Sequence, residues 1–220
     1  MTKAIFLSYT GVVLPRRGSE YREFLDTLVQ SSNLKDAEKA HEWFDDKLRE
    51  YKCNAYGESY MNEEDLLRSL FEDVRDEIRL SVSVDKLVIL CQNCLMYGPV
   101  SDEISKFFSL AKMPIYIVAD CSADYALIEM KRNRLHTHGV VSCEEARTYR
   151  NRKEAFDHVL EATGYNRDEV LYVGSDPLMD MKGAEEAGIP AVLLDRRGLY
   201  HDAECRRTRS LASLLVNLGE

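Results

Sequence analysis

The chain has 220 residues, 45% of them apolar, with 29 basic against 38 acidic side chains and a formal charge of −9. That length suits one large domain or one domain carrying an insert, and the apolar share supports a real core. The acidic balance argues against nonspecific nucleic-acid binding, which depends on neutralising phosphates. No stretch approaches the roughly 20 apolar residues that span a membrane. The opening MTKAIFLSY is too soon interrupted for a secretory signal, so a cytoplasmic protein is expected.

In chain order, Ala4–Leu7 is a short apolar run that reads as a buried strand opening into Ser8-Tyr9-Thr10-Gly11. Ser19 is placed to cap a helix whose stripe is Tyr21, Phe24, Leu25, Leu28 and Val29. A second helix starts near Asp36, with Ala40, Trp43, Phe44, Leu48 and Tyr51 on one face. Asn62 caps a third, carrying Leu66, Leu67, Leu70, Phe71, Val74 and Ile78. Three amphipathic helices without an intervening strand predict a helical insert over 16–84, leaving 1–15 and 85–220 as an α/β core.

Val84–Met96 is too long for a buried strand and is expected to be helical until Gly98-Pro99 breaks it. A helix from Ser101 or Asp102 follows, then a strand at Pro114–Val118, a helix at Ala123–Met130 and a strand at Gly139–Val141. A helix over Arg152–Thr163 is closed by Gly164, and a strand at 170–173 leads to a helix at 177–187. A strand at 190–194 and a helix near Leu211–Leu218 complete the chain. Strands alternating with helices predict a doubly wound parallel sheet covered on both faces, here five-stranded with Ala4–Leu7 central.

Val170–Gly188, VLYVGSDPLMDMKGAEEAG, concentrates the chemistry. Asp176 suits a helix cap, Pro177 the first helical position and Gly188 the exit. Asp176 and Asp180, four apart, share a face of the first turn, beside a strand's carboxyl end where metal or phosphate sites are common. A capping aspartate plus a solvated one is an equally good reading of the segment alone. Elsewhere, Cys91-Gln-Asn-Cys94 is a lone C-x-x-C with no second pair for zinc, and buried reduced thiols are expected. His136-Thr-His138 reads as two surface rings before a strand. The basic runs Lys131–Arg134 and Arg206–Arg209 read as solvated faces.

With the following IPAVLLDR, that stretch resembles the last βαβ unit of the haloacid dehalogenase superfamily, in which a Gly-Asp or Ser-Asp pair and a later Asp hold magnesium. The order of strand, insert, second strand, basic residue and acidic strand end extends the resemblance over the whole chain. It implies a Rossmann-type core with an inserted helical cap standing over the sheet's carboxyl ends. It also implies an Asp nucleophile after strand 1, an Asp acid–base two residues on, a Ser or Thr after the second strand, and a Lys before a helix. On this sequence the nucleophile position falls on Ser8 and the acid–base position on Thr10, with Gly11 following. The phosphate-binding hydroxyl falls on Ala119 beside Asp120, or on Ser122 in a shifted register, and the lysine falls on Arg150. Aligned on Gly174 the metal pair begins at Ser175; aligned on Ser175 it begins at Asp176, with Asp180 downstream.

Losing the carboxylate at Ser8 removes nucleophile and metal ligand together, and a hydroxyl replaces neither well near pH 7. The expectation is a haloacid dehalogenase-like protein without ordinary phosphatase activity, acting as a binding or regulatory protein toward a small phosphorylated molecule or a protein partner. Magnesium is expected to bind weakly or not at all. The alternative is an active hydrolase of small phosphorylated metabolites, with a site rearranged around Asp176, Asp180, Asp120 and Arg150.

Overall fold

The computed structural model describes residues 1–218. They divide into two compact units, one formed by residues 1–15 with 100 onward, the other by residues 16–99.

The first unit is built on a six-stranded, wholly parallel sheet. Its strands are β1 (Ala4–Ser8), β2 (Ile115–Ala119), β3 (Gly139–Ser142), β4 (Val170–Gly174), β5 (Ala191–Leu194) and β6 (Arg207–Thr208), in the order β3-β2-β1-β4-β5-β6. Every residue of β1 and β4 is buried, as expected of inner strands with both faces covered. The winding reverses between β1 and β4, and open α/β sheets form their crevice outside the strand ends at such a point. Register makes those ends level: Ser8 pairs with Val118 and Leu7 with Val173. Side chains just beyond three different strands therefore meet. Phe6, Val118, Phe156, Val159, Tyr172 and Met181 form the packed interior behind them, with the Phe156 and Tyr172 rings edge-on at 4.8 Å.

The second unit consists of α1 (Ser19–Gln30), α2 (Ala37–Asn54), α3 (Glu63–Asp73) and α4 (Val84–Tyr97). Helices α1 and α3 each pack against both α2 and α4. The Phe24, Phe44 and Phe71 rings lie 4.7–6.3 Å apart at the centre of the unit. Among the described residues from 16 to 99 there is no strand. No helix of the described residues is long and apolar enough to cross a membrane.

Several expectations need correction. The division between units falls after Pro99 rather than at 84/85, because α4 buries Val84, Leu87, Val88 and Leu95 within the helical unit. The sheet has six strands rather than five: Leu193 N–H donates to Arg206 O and Asp195 N–H to Thr208 O, which recruits Arg207–Thr208 out of a basic run read as a solvated face. Ser19 does not cap α1; Gly18 occupies that position, and Ser19 Oγ instead bonds Glu20. Helix α3 ends at Asp73, and its expected stripe residues Val74 and Ile78 are buried from the turns that follow.

In the first unit, α5 (Asp102–Leu110), α6 (Ala123–Arg132), α7 (Lys153–Thr163), α8 (Lys182–Glu186) and α9 (Leu211–Leu218) connect or follow the strands. The expected helix over 177–187 is split. Pro177–Met181 forms one π turn before α8, and the N–H groups of Asp180 and Met181 both reach Asp176 O.

Candidate active site

The strand ends at the winding reversal place Ser8, Thr10, Asp120, Arg150 and Asp180 together around one guanidinium. Ser8 is the last residue of β1 and is fully buried, its Oγ donating to Thr10 O at 2.8 Å. Gly11 then turns the chain at φ +92°, and a Cβ there would collide with Ser175 Oγ, so the exits of β1 and β4 touch only because this residue is glycine. Arg196 fixes the same loop from the other side. Its Nη1 and Nη2 donate to Gly11 O and Val12 O at 3.0 and 3.1 Å, and its Nε to Glu103 at 2.9 Å.

Arg150 enters on the loop before α7 and is only 2% exposed. Its Nε reaches Asp120 Oδ1 and its Nη2 reaches Asp120 Oδ2, both at 3.1 Å, a forked pair. Nη2 also donates to Thr10 Oγ1 at 3.0 Å, while Nη1 bonds Ser8 Oγ and lies 3.3 Å from Asp180 Oδ1. The backbone joins in, since Arg150 N–H donates to Asp120 Oδ1 at 3.1 Å. Burial opposes the charge, but Asp120 and Asp180 outweigh it and push the guanidinium further above its ordinary value.

Asp180 is turned into the protein. Tyr172 O–H donates to its Oδ1 at 2.5 Å, and the N–H groups of Ser175 and Asp176 donate to its Oδ2 at 2.7 and 3.0 Å. Burial pushes its carboxyl above the ordinary value, against the pull of Arg150, the Tyr172 hydroxyl and Ser175 N–H. Asp176 does different work. Its Oδ1 caps the π turn, accepting from Leu178 N–H at 2.8 Å and Met179 N–H at 2.9 Å. The two carboxylates thus have different partners, Asp180 within the buried cluster and Asp176 at the start of the turn.

Of the remaining predicted positions, Ala119 ends β2 and is buried, and Ser175 is half-buried, with its Oγ 3.4 Å from Asp180. Ser122 caps α6 through Asp124 N–H and takes no part in the cluster. The sequence reading missed Tyr172. A phenol in the middle of an apolar strand was its only signal, since such a group needs a buried acceptor. It also missed Arg196, whose partners lie 93 to 185 residues away.

A magnesium ion at this corner would need several oxygen ligands. Three of the four carboxylate oxygens nearest to it by resemblance are committed: both of Asp180 to Arg150, Tyr172 and two backbone N–H groups, and Asp176 Oδ1 to the cap. Among the described residues no group of three or more His, Cys, Asp or Glu is placed to hold a metal. The residues present therefore do not fit the ion. The C-x-x-C pair offers no reactive alternative, as burial pushes both thiols up, Cys94 to about 12, so the thiolate is scarce near neutrality.

No protein-family model matches the sequence, and no curated protein matches it. Solved structures do. YfnB from Bacillus subtilis, described as a HAD-hydrolase and bound to magnesium, superposes with a TM-score of 0.78 at 15% identity, covering 100% of this chain and 99% of its own. The L-2-haloacid dehalogenase from Xanthobacter autotrophicus gives 0.79 at 15% identity over 99% of each chain. The L-2-haloacid dehalogenase RSc1362 gives 0.79 at 16% identity, covering 100% of this chain and 99% of that one. Likeness over whole chains at such low identity speaks for architecture, and on that ground this protein has a haloacid dehalogenase-like α/β fold.

Proposed function

We propose that this chain uses a haloacid dehalogenase-like fold for binding or regulation, without the aspartate-nucleophile chemistry that the resemblance implies for its relatives. One observation carries the reading: the guanidinium of Arg150, at the position expected to hold a substrate phosphate, is buried and bonded to Asp120, Asp180, Ser8 and Thr10 of its own chain. A cation already neutralised by two carboxylates has little charge left for transition-state oxygens.

Ser8 lacks a base. The groups around its Oγ are Arg150, which only donates, Thr10 O, to which it donates itself, and the phenol of Tyr172, which burial and Asp180 keep protonated. The same lack argues against dehalogenation, since displacing a halide from carbon needs an equally competent nucleophile. A ligand, whether a small phosphorylated molecule or a protein, would therefore be bound rather than turned over. A charge of −9 makes nucleic acid an unsuitable partner.

The test is hydrolysis of a generic aryl phosphate with magnesium. Wild type should show none. The double change Ser8→Asp and Thr10→Asp should also fail, because the new carboxylates would pair with Arg150 rather than attack. Turnover by wild type that survives Ser8→Ala and disappears in Asp176→Asn would instead establish the rearranged hydrolase.

A further inference from the structure

We propose that the oxygens around the Arg150 side chain form a cation site in their own right, shaped for a planar guanidinium group and filled by the chain's own arginine. The proposal deepens the reading above and rests on the same occupancy.

The guanidinium has five N–H donors in a fixed plane. Around its rim lie Asp120 Oδ1 and Oδ2 at 3.1 Å, Thr10 Oγ1 at 3.0 Å, Asp180 Oδ1 at 3.3 Å, Val118 O at 3.4 Å and Ser8 Oγ. Every edge of the fork thus meets oxygen, and two of the six acceptors belong to one carboxylate taken bidentately. Part of the site is also held independently of its occupant. Asp180 is fixed by Tyr172 O–H and by the N–H groups of Ser175 and Asp176. Ser8 and Val118 are fixed by pairing of β1 with β2.

The width of the ring selects the ion. Adding a C–N bond of about 1.33 Å to these N···O distances puts the oxygens roughly 4 Å from the guanidinium carbon. Magnesium requires oxygens at about 2.1 Å and calcium at about 2.3–2.6 Å, so a bare ion at the centre would touch none of them. Two buried carboxylates demand positive charge, while the spacing demands that it be spread over a plane. A guanidinium satisfies both, and an ammonium or a divalent ion satisfies only the first.

The test vacates the site and offers the group back. Arg150→Ala should melt well below wild type, and its midpoint should rise saturably with low-millimolar guanidinium or methylguanidinium, far below the molar concentrations at which guanidinium denatures. Magnesium and tetramethylammonium at the same concentration should not raise it, and wild type should respond to none of the four. Adding Asp120→Asn to Arg150→Ala should remove the response. A flat titration, or an equal response to magnesium, would overturn the proposal. If Arg150→Ala does not fold, Arg150→Lys decides: it keeps the charge without the fork and should melt clearly below wild type, whereas an unchanged midpoint would refute a site shaped for guanidinium. Wild-type phosphatase turnover would end the functional reading above while leaving this titration intact, so the two fail separately.

Discussion

Breaking the Arg150 cluster from one side should cost far more than losing a surface charge. Arg150→Met leaves Asp120 and Asp180 buried without their counter-ion, and such uncompensated charge typically costs about 3–5 kcal/mol. Urea denaturation should show that loss with an unchanged slope; a change under about 1 kcal/mol would mean that the ion pairs contribute little. Tyr172→Phe removes one donor to a buried carboxylate and should cost about 1–3 kcal/mol by the same measurement. At this scale the sequence was only partly readable. The positive charge at Arg150 and the acids at Asp120 and Asp180 could be picked out as candidates. Their pairing could not, because 142 residues separate Arg150 from Ser8 and no local spacing encodes such a contact.

Local punctuation explains which elements could be read. Asp176 as cap, Pro177 after it and Gly188 at φ +69° are short-range signals, and each sits where its chemistry suggested. The π turn between them was invisible, because it is set by Asp180 reaching inward to Tyr172 and Arg150 rather than by propensity. Strand β6 was invisible for a related reason: two polar residues become a strand only beside the open edge of β5. In the helical unit, α2 and α3 are joined by a buried pair, Lys52 Nζ to Glu63 Oε1 at 2.6 Å, with side chains 4% and 8% exposed. Lys52→Met alone should destabilise by about 3–5 kcal/mol, whereas Lys52→Met with Glu63→Leu should come back close to wild type. A double-mutant cycle without that recovery would show that the pair contributes more than it costs to bury.

Over the whole molecule, acid should unfold the protein through carboxylates held low in the folded state. Glu169 is held to about 2 by the Lys3 ammonium and by Asn166 N–H. Burial pushes Asp195 up, but N–H bonds from Tyr200, Leu199 and Gly198 together outweigh it and keep the group below its ordinary value. A depressed carboxyl adds stability that is fully present above its unfolded value, near 4.5 for Glu169, and that disappears as pH falls toward about 2. Glu169→Gln should therefore be less stable than wild type at pH 6, by a modest amount because the pair is solvent-screened, and the two curves should meet at about pH 2. A deficit that persists unchanged to that pH would rule out this linkage.

Calorimetric titration of magnesium into the wild-type protein tests most directly whether the acids around Arg150 are closed to a metal ion. The arrangement of Arg150, Asp120, Asp180 and Asp176 predicts no saturable heat up to about 1 mM magnesium. Saturable binding with a dissociation constant well under about 100 µM, equivalent to about −5.5 kcal/mol, would contradict it.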